Sequence, residues 1–148
     1  MKNIGKITVP DGSYWVVKKA GYSLSKGRFI LSIDTFPLVN ANENHHFFNY
    51  DMSVDADGCL NTAMHDASGN IKIDYDPNRE GMDSSMGFSV NGNYEIEAAK
   101  GIIHPQEARF FLSLKVESQE FYNDIGQHGF EINCLIERVG NWKLWFNS

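Results

Sequence analysis

The side chains that most often do chemistry are scattered along this chain of 148 residues. His45 and His46 are neighbours, and neighbours on an extended strand project to opposite faces, so the pair cannot close on one metal ion. His65, His104 and His128 are isolated, and no H-x-H, H-x-x-x-H, H-E-x-x-H or C-x-x-C spacing occurs. A histidine site would have to assemble from distant segments, for example His45 or His46 with His65 and Asp66. No G-x-S-x-G elbow presents a nucleophile. The glycine-containing stretch Gly81–Gly87 has no lysine and no strand-to-helix setting, so it is not a phosphate loop. The sequence therefore predicts no catalytic residue, no metal and no cofactor.

Acidic residues are the second group. Asp51, Ser53, Asp55 and Asp57 follow calcium-loop spacing, but the sixth position is Ala56 and the twelfth is Thr62, where an EF-hand needs Gly and Glu. The plainer reading is a hairpin turn at Asp57-Gly58. Aromatics are the third group. Trp142 and Trp145 lie an odd number of residues apart, so on one strand they face opposite sides; Tyr14 and Trp15 pose the same question near the start. One member of each pair is expected in the core, and the other against a second layer, a partner or a ligand.

Charge is uneven. Residues 1–30 sum to +5, residues 31–99 to −10 and residues 100–148 to −1, within a total of −6. The middle of the chain is an acidic block, which disfavours a nucleic-acid backbone as partner because phosphate contacts need clustered Lys and Arg. No apolar run approaches the length of a membrane span. The segment Met1–Lys6 lacks the apolar stretch of a signal peptide, so the expectation is a cytoplasmic protein whose thiols, Cys59 and Cys134, are reduced.

The elements that must position these residues have a period of two. Ile71–Asp76, Tyr94–Ala98, Phe110–Glu117, Phe130–Glu137 and Trp142–Phe146 alternate apolar and polar residues, the signature of sheets with one dry and one wet face. Cys134 falls in phase with Phe130, Ile132 and Ile136 and reads as a small core residue. Earlier strands are expected at Lys6–Val9, Ser13–Lys19, Gly27–Asp34, Phe47–Val54 and, more weakly, Cys59–His65. Turns are expected at Asp11-Gly12, Asp57-Gly58, Ser68-Gly69-Asn70, Asn91-Gly92 and Gly140-Asn141, with helical turns near Pro105–Ala108 and Glu117–Asn123. Longer loops are expected at Pro37–Asn44 and Pro77–Ser85.

These features predict a single all-β domain over residues 1–148, an antiparallel β-sandwich or closed barrel of about nine short strands with mostly meander connections. They predict a non-enzymatic binding protein: a small acidic protein-interaction module such as an inhibitor or immunity protein. A small-ligand β-domain for a sugar or nucleotide is the alternative, and a His/Asp hydrolase ranks last. The binding candidates are the acids Asp55, Asp57, Asp66, Asp74, Asp76 and Asp83 and the aromatics Trp15 and Trp145. A protein partner is expected, a small ligand is allowed, and neither nucleic acid nor membrane is expected.

Overall fold

Alternating side chains become strands in a computed structural model, which describes residues 3–25, 27–39, 49–59, 63–65, 69–79, 84–118 and 129–140. Eleven strands are present among them: β1 (Gly5–Thr8), β2 (Tyr14–Ser25), β3 (Arg28–Thr35), β4 (Ser53–Cys59), β5 (Ala63–His65), β6 (Ile71–Tyr75), β7 (Ser84–Ser89), β8 (Asn93–Glu95), β9 (Ala98–Gln106), β10 (Arg109–Glu117) and β11 (Phe130–Arg138). They form one sheet in the order β5-β6-β9-β10-β11-β1-β2-β3-β4-β7-β8. The architecture is thus all-β and antiparallel, apart from one short parallel contact of β11 with β2. The sheet does not close into a barrel, since β5 and β8 lie at opposite ends of that order. Most neighbours in the sheet are neighbours in sequence, as a meander requires; β1–β11, β4–β7 and β6–β9 are the long-range exceptions.

Register aligns the apolar residues in rows. Ile73, Gly101, Leu114, Ile132, Ile7 and Trp15 follow one another across six strands, from β6 to β2. Tyr75, Ala99, Val116 and Phe130 form the next row. On the other half of the sheet, Phe29, Leu31 and Ile33 of β3 and Val54 and Ala56 of β4 turn inward and are buried. The two halves meet through aromatic rings. Phe88 of β7 packs edge-on against Phe130 of β11 at 5.1 Å, and Tyr22 of β2 packs edge-on against Phe110 of β10 at 5.8 Å. Such pairs add roughly 0.5–1.5 kcal/mol beyond the area they bury.

Strand β2 is the element shared by both halves. Its first residues pair with β1, and its later residues pair with β3 and touch β11. A bulge between Val17 and Lys19 moves the inward positions from Trp15 and Val17 to Ala20 and Tyr22. The pairing therefore extends six residues beyond the expected end at Lys19, to Ser25.

Two local expectations are corrected. Asp57-Gly58 makes no hairpin turn; both lie inside β4. Gly58 is needed there for space, because a Cβ on it would overlap the Ser84 side chain of β7. Pro105–Ala108 makes no helical turn: Pro105 and Gln106 end β9, and Glu107-Ala108 form a tight hairpin to β10, with Glu107 at φ 58°. On β2, Tyr14 and Val16 remain half-buried, and the Lys6 ammonium sits 4.6 Å over the Tyr14 ring. The Asn91-Gly92 turn forms as expected, between β7 and β8. The expected strand Trp142–Phe146 lies outside the described residues, as do most of the loop at Pro37–Asn44, the middle of Pro77–Ser85 and all but the first two residues of Glu117–Asn123.

Cys134 is wholly buried in the row of Ile103 and Leu112, and this burial pushes its thiol up to about 12. At neutral pH almost none of it is thiolate, the form that reacts. Iodoacetamide should leave Cys134 unmodified in the native protein and label it only in denaturant, as read by peptide mass spectrometry. Labelling of Cys134 at the rate of a free peptide thiol under native conditions would contradict its placement.

Candidate functional site

The wet face of β2-β3-β4-β7-β8 gathers the acids. Register places Gly21, Ser32, Asp55, Gly87 and Glu95 in one row across the five strands. Lys19, Asp34, Ser53, Ser89 and Asn93 form the row on one side. Ser23, Ile30, Asp57 and Ser85 form the row on the other. Four carboxylates thus share this face with Lys19, Ile30, Asn93 and a set of glycines and serines. A shallow groove of about 380 Å³ runs between Asp55, Asp57, Ser85, Gly87 and Glu95.

The carboxylates are not equivalent. Asp57 is held by Arg28 of the neighbouring strand through two contacts, Nε to Oδ1 at 2.9 Å and Nη2 to Oδ2 at 2.6 Å. The hydrogen bond from Arg28 and its charge lower the Asp57 pKa, while slight burial opposes them. Asp55 is pushed the other way. Burial raises its pKa most, the Ser32 hydrogen bond lowers it, and the nearby charge of Asp34 raises it again.

Opposite signs follow for stability. The lowered Asp57 contributes stability above the ordinary carboxylate range, and that contribution is lost as pH falls through its folded value. Asp55 binds a proton more readily when folded than when unfolded, so its ionisation at neutral pH costs stability, and acidification relieves that cost. Asp55→Asn, which can keep the Ser32 hydrogen bond, should raise the melting temperature at neutral pH. The gain should shrink toward about pH 4, where the free carboxyl itself is protonated. A lower melting temperature at neutral pH would contradict this placement of Asp55.

The other expected site residues do not join this face. Asp74 lies on β6, opposite Lys100 of β9, with one oxygen 3.2 Å from Arg79 and the other buried without a hydrogen-bond partner. Its row continues through Lys115 and Glu131, a face of mixed sign. Asp76 holds a turn, its Oδ1 accepting the Asn78 N–H at 2.9 Å. Asp66, Asp83 and Trp145 lie outside the described residues. Trp15 is a correction: expected as an exposed aromatic, it is wholly buried, and its Nε1 donates to the Tyr50 carbonyl at 3.0 Å. Its indole offers no surface to a partner.

Asp34 and Glu95 escaped the sequence reading of the site. Each alternates outward from an apolar strand, so its exposure was legible, but only register sets it beside Asp55. The calcium-loop spacing has no counterpart in shape, since residues 53–59 form an extended strand rather than a turn around one point. Among the described residues, no three His, Cys, Asp or Glu groups converge as a metal site. His104 lies with its ring 5.7 Å from that of Phe111 and its Nδ1 3.2 Å from the Pro105 oxygen. No helix among the described residues is long and apolar enough to cross a membrane.

Comparison with protein-family models, with curated proteins and with solved structures finds no match. The functional reading accordingly rests on this chain's own geometry.

Proposed function

We propose that this chain is a non-enzymatic binding protein that docks on a protein partner through the acidic wet face of β2-β3-β4-β7-β8, acting as an inhibitor or immunity protein in the cytoplasm. The supporting observation is the convergence of Asp34, Asp55, Asp57 and Glu95 on one side of the sheet. Such a face complements a basic surface on a partner: it speeds encounter and selects the partner by charge. The shallow form of the groove suits a convex protein surface better than an enclosed substrate.

The same reading takes the sheet as two packed layers, a sandwich. The Phe88–Phe130 contact supports it, because it joins strands far apart in the sheet order. Layers of this kind hold the wet faces rigid and outward, as a docking surface requires.

A photo-crosslinking amino acid placed at Ser85 or Asn93 should capture one discrete protein in the native host. The same residue placed at Lys115, on the wet face of the other half, should not. Equal capture from both positions would overturn the assignment of this face.

A further inference from the structure

A second opening lies where the short strand β1 stops. Among the described residues, β2 and β11 have no strand between them beyond Gly5, and they come together at Gly21–Glu137 and Tyr22–Arg138, where the Val139 N–H donates to the Tyr22 carbonyl at 2.7 Å. The gap leaves a slot of about 430 Å³, within the range of small-molecule sites. Ile4, Ala20, Phe110, Leu135 and Ile136 line it with apolar surface. Lys19, Arg109 and Arg138 stand around it, against the single carboxylate of Glu137. Three cations at one opening run counter to the −6 of the whole chain.

We propose that this slot binds a small amphipathic anion, its apolar body between β2 and β11 and its charged head at Arg109 and Arg138. Both arginines are exposed at the mouth, and Arg138 lies close enough to Tyr22 for its charge to act on that phenol. A guanidinium presents a planar fork that matches a carboxylate, sulfonate or phosphate with two parallel hydrogen bonds. The apolar wall accounts for the tail, because a purely inorganic ion would leave five hydrophobic residues unused. The bulge in β2 shifts its register so that Ala20, a small side chain, is the buried residue beside the slot. This inference does not depend on the acidic face, and either can fail without the other.

The test uses the full chain with decanoate as probe and decanol as its uncharged counterpart, by titration calorimetry and amide chemical shifts. One decanoate should bind per chain, with shifts centred on Ile4, Ala20 and Leu135. Decanol should bind about tenfold more weakly, the loss expected when a charged hydrogen-bonding head is removed. Arg109→Ala with Arg138→Ala should weaken decanoate by about the same factor and leave decanol unchanged, with an unaltered melting curve because both side chains are exposed. Equal affinity for decanol and decanoate would overturn the proposal. So would shifts centred away from the slot, or binding to phosphatidylglycerol vesicles with none to decanoate, which would mark a membrane-facing patch instead.

Discussion

Gly101→Val should remove a large part of the stability of the native fold. Gly101 sits in the middle of β9, between Ile73 of β6 and Leu114 of β10, in the central apolar row of the sheet. A Cβ at this position would overlap the Ser113 carbonyl oxygen and come within 2.7 Å of the Leu114 Cα. These atoms are backbone in a strand paired along its whole length, so they cannot swing aside as a long side chain would. Either the β9–β10 ladder breaks or the sheet shifts as a block. A loss of about 3 kcal/mol or more follows, a large part of the roughly 5–15 kcal/mol that holds a domain folded. Gly140→Ala is the control, because open space surrounds that position. It should change stability by no more than about 0.5 kcal/mol. Chemical denaturation of the two variants beside the wild type decides the matter, and a Gly101→Val protein as stable as the wild type would contradict the close approach of β9 and β10.

Trp15→Ala should cost about 3–5 kcal/mol, the usual range for removing a large aromatic from a packed interior. The indole is wholly buried at the junction of β1 and β2, in register with Ile7, and its N–H satisfies the Tyr50 carbonyl. Removing it empties a large volume and takes one of two donors from the Tyr50 carbonyl, which keeps the Leu38 N–H at 3.3 Å, with a fall in melting temperature on the order of 10 °C. Trp15→Phe separates the two parts. It restores most of the volume but not the hydrogen bond, and should cost about 1–3 kcal/mol. Neither variant should alter the acidic face, so a partner captured by the wild type should still be captured by Trp15→Phe. If Trp15→Ala melts like the wild type, the indole is not where the structure puts it.

How much of this was legible in the sequence depended on whether the strand kept its period. β6, β10 and β11 alternate without a break, and their inward residues, from Ile71 to Ile136, were readable from the chain alone. β2 was read short because its bulge inserts a residue and flips the phase; after Val17 the alternation restarts at Ala20, and a fixed period sees only noise. Asp57-Gly58 misled for a different reason. The pair is a strong turn signal, but tertiary packing claimed the glycine for its lack of a side chain, where β4 runs close against Ser84. Glu107-Ala108 carries no turn signal at all, yet forms a tight hairpin because the long β9–β10 ladder on both sides fixes it. The candidate face was half legible. Asp55 and Asp57 stood out in the sequence as acids, but their place inside β4 and their meeting with Asp34 and Glu95 depend on pairings such as β4 with β7, which no local pattern encodes. The slot beside β1 was not legible, since it arises from the shortness of one strand and the bulge in its neighbour.

The most direct trial of the acidic docking face is a quantitative pull-down from the native host with Asp34→Lys/Glu95→Lys, both exposed positions, beside the wild type and Glu131→Lys, an exposed position on β11 beside Lys115. The wild type and Glu131→Lys should retain the same partner, and the double reversal should lose it by about tenfold or more while melting normally. Undiminished capture by the folded double variant would contradict the account.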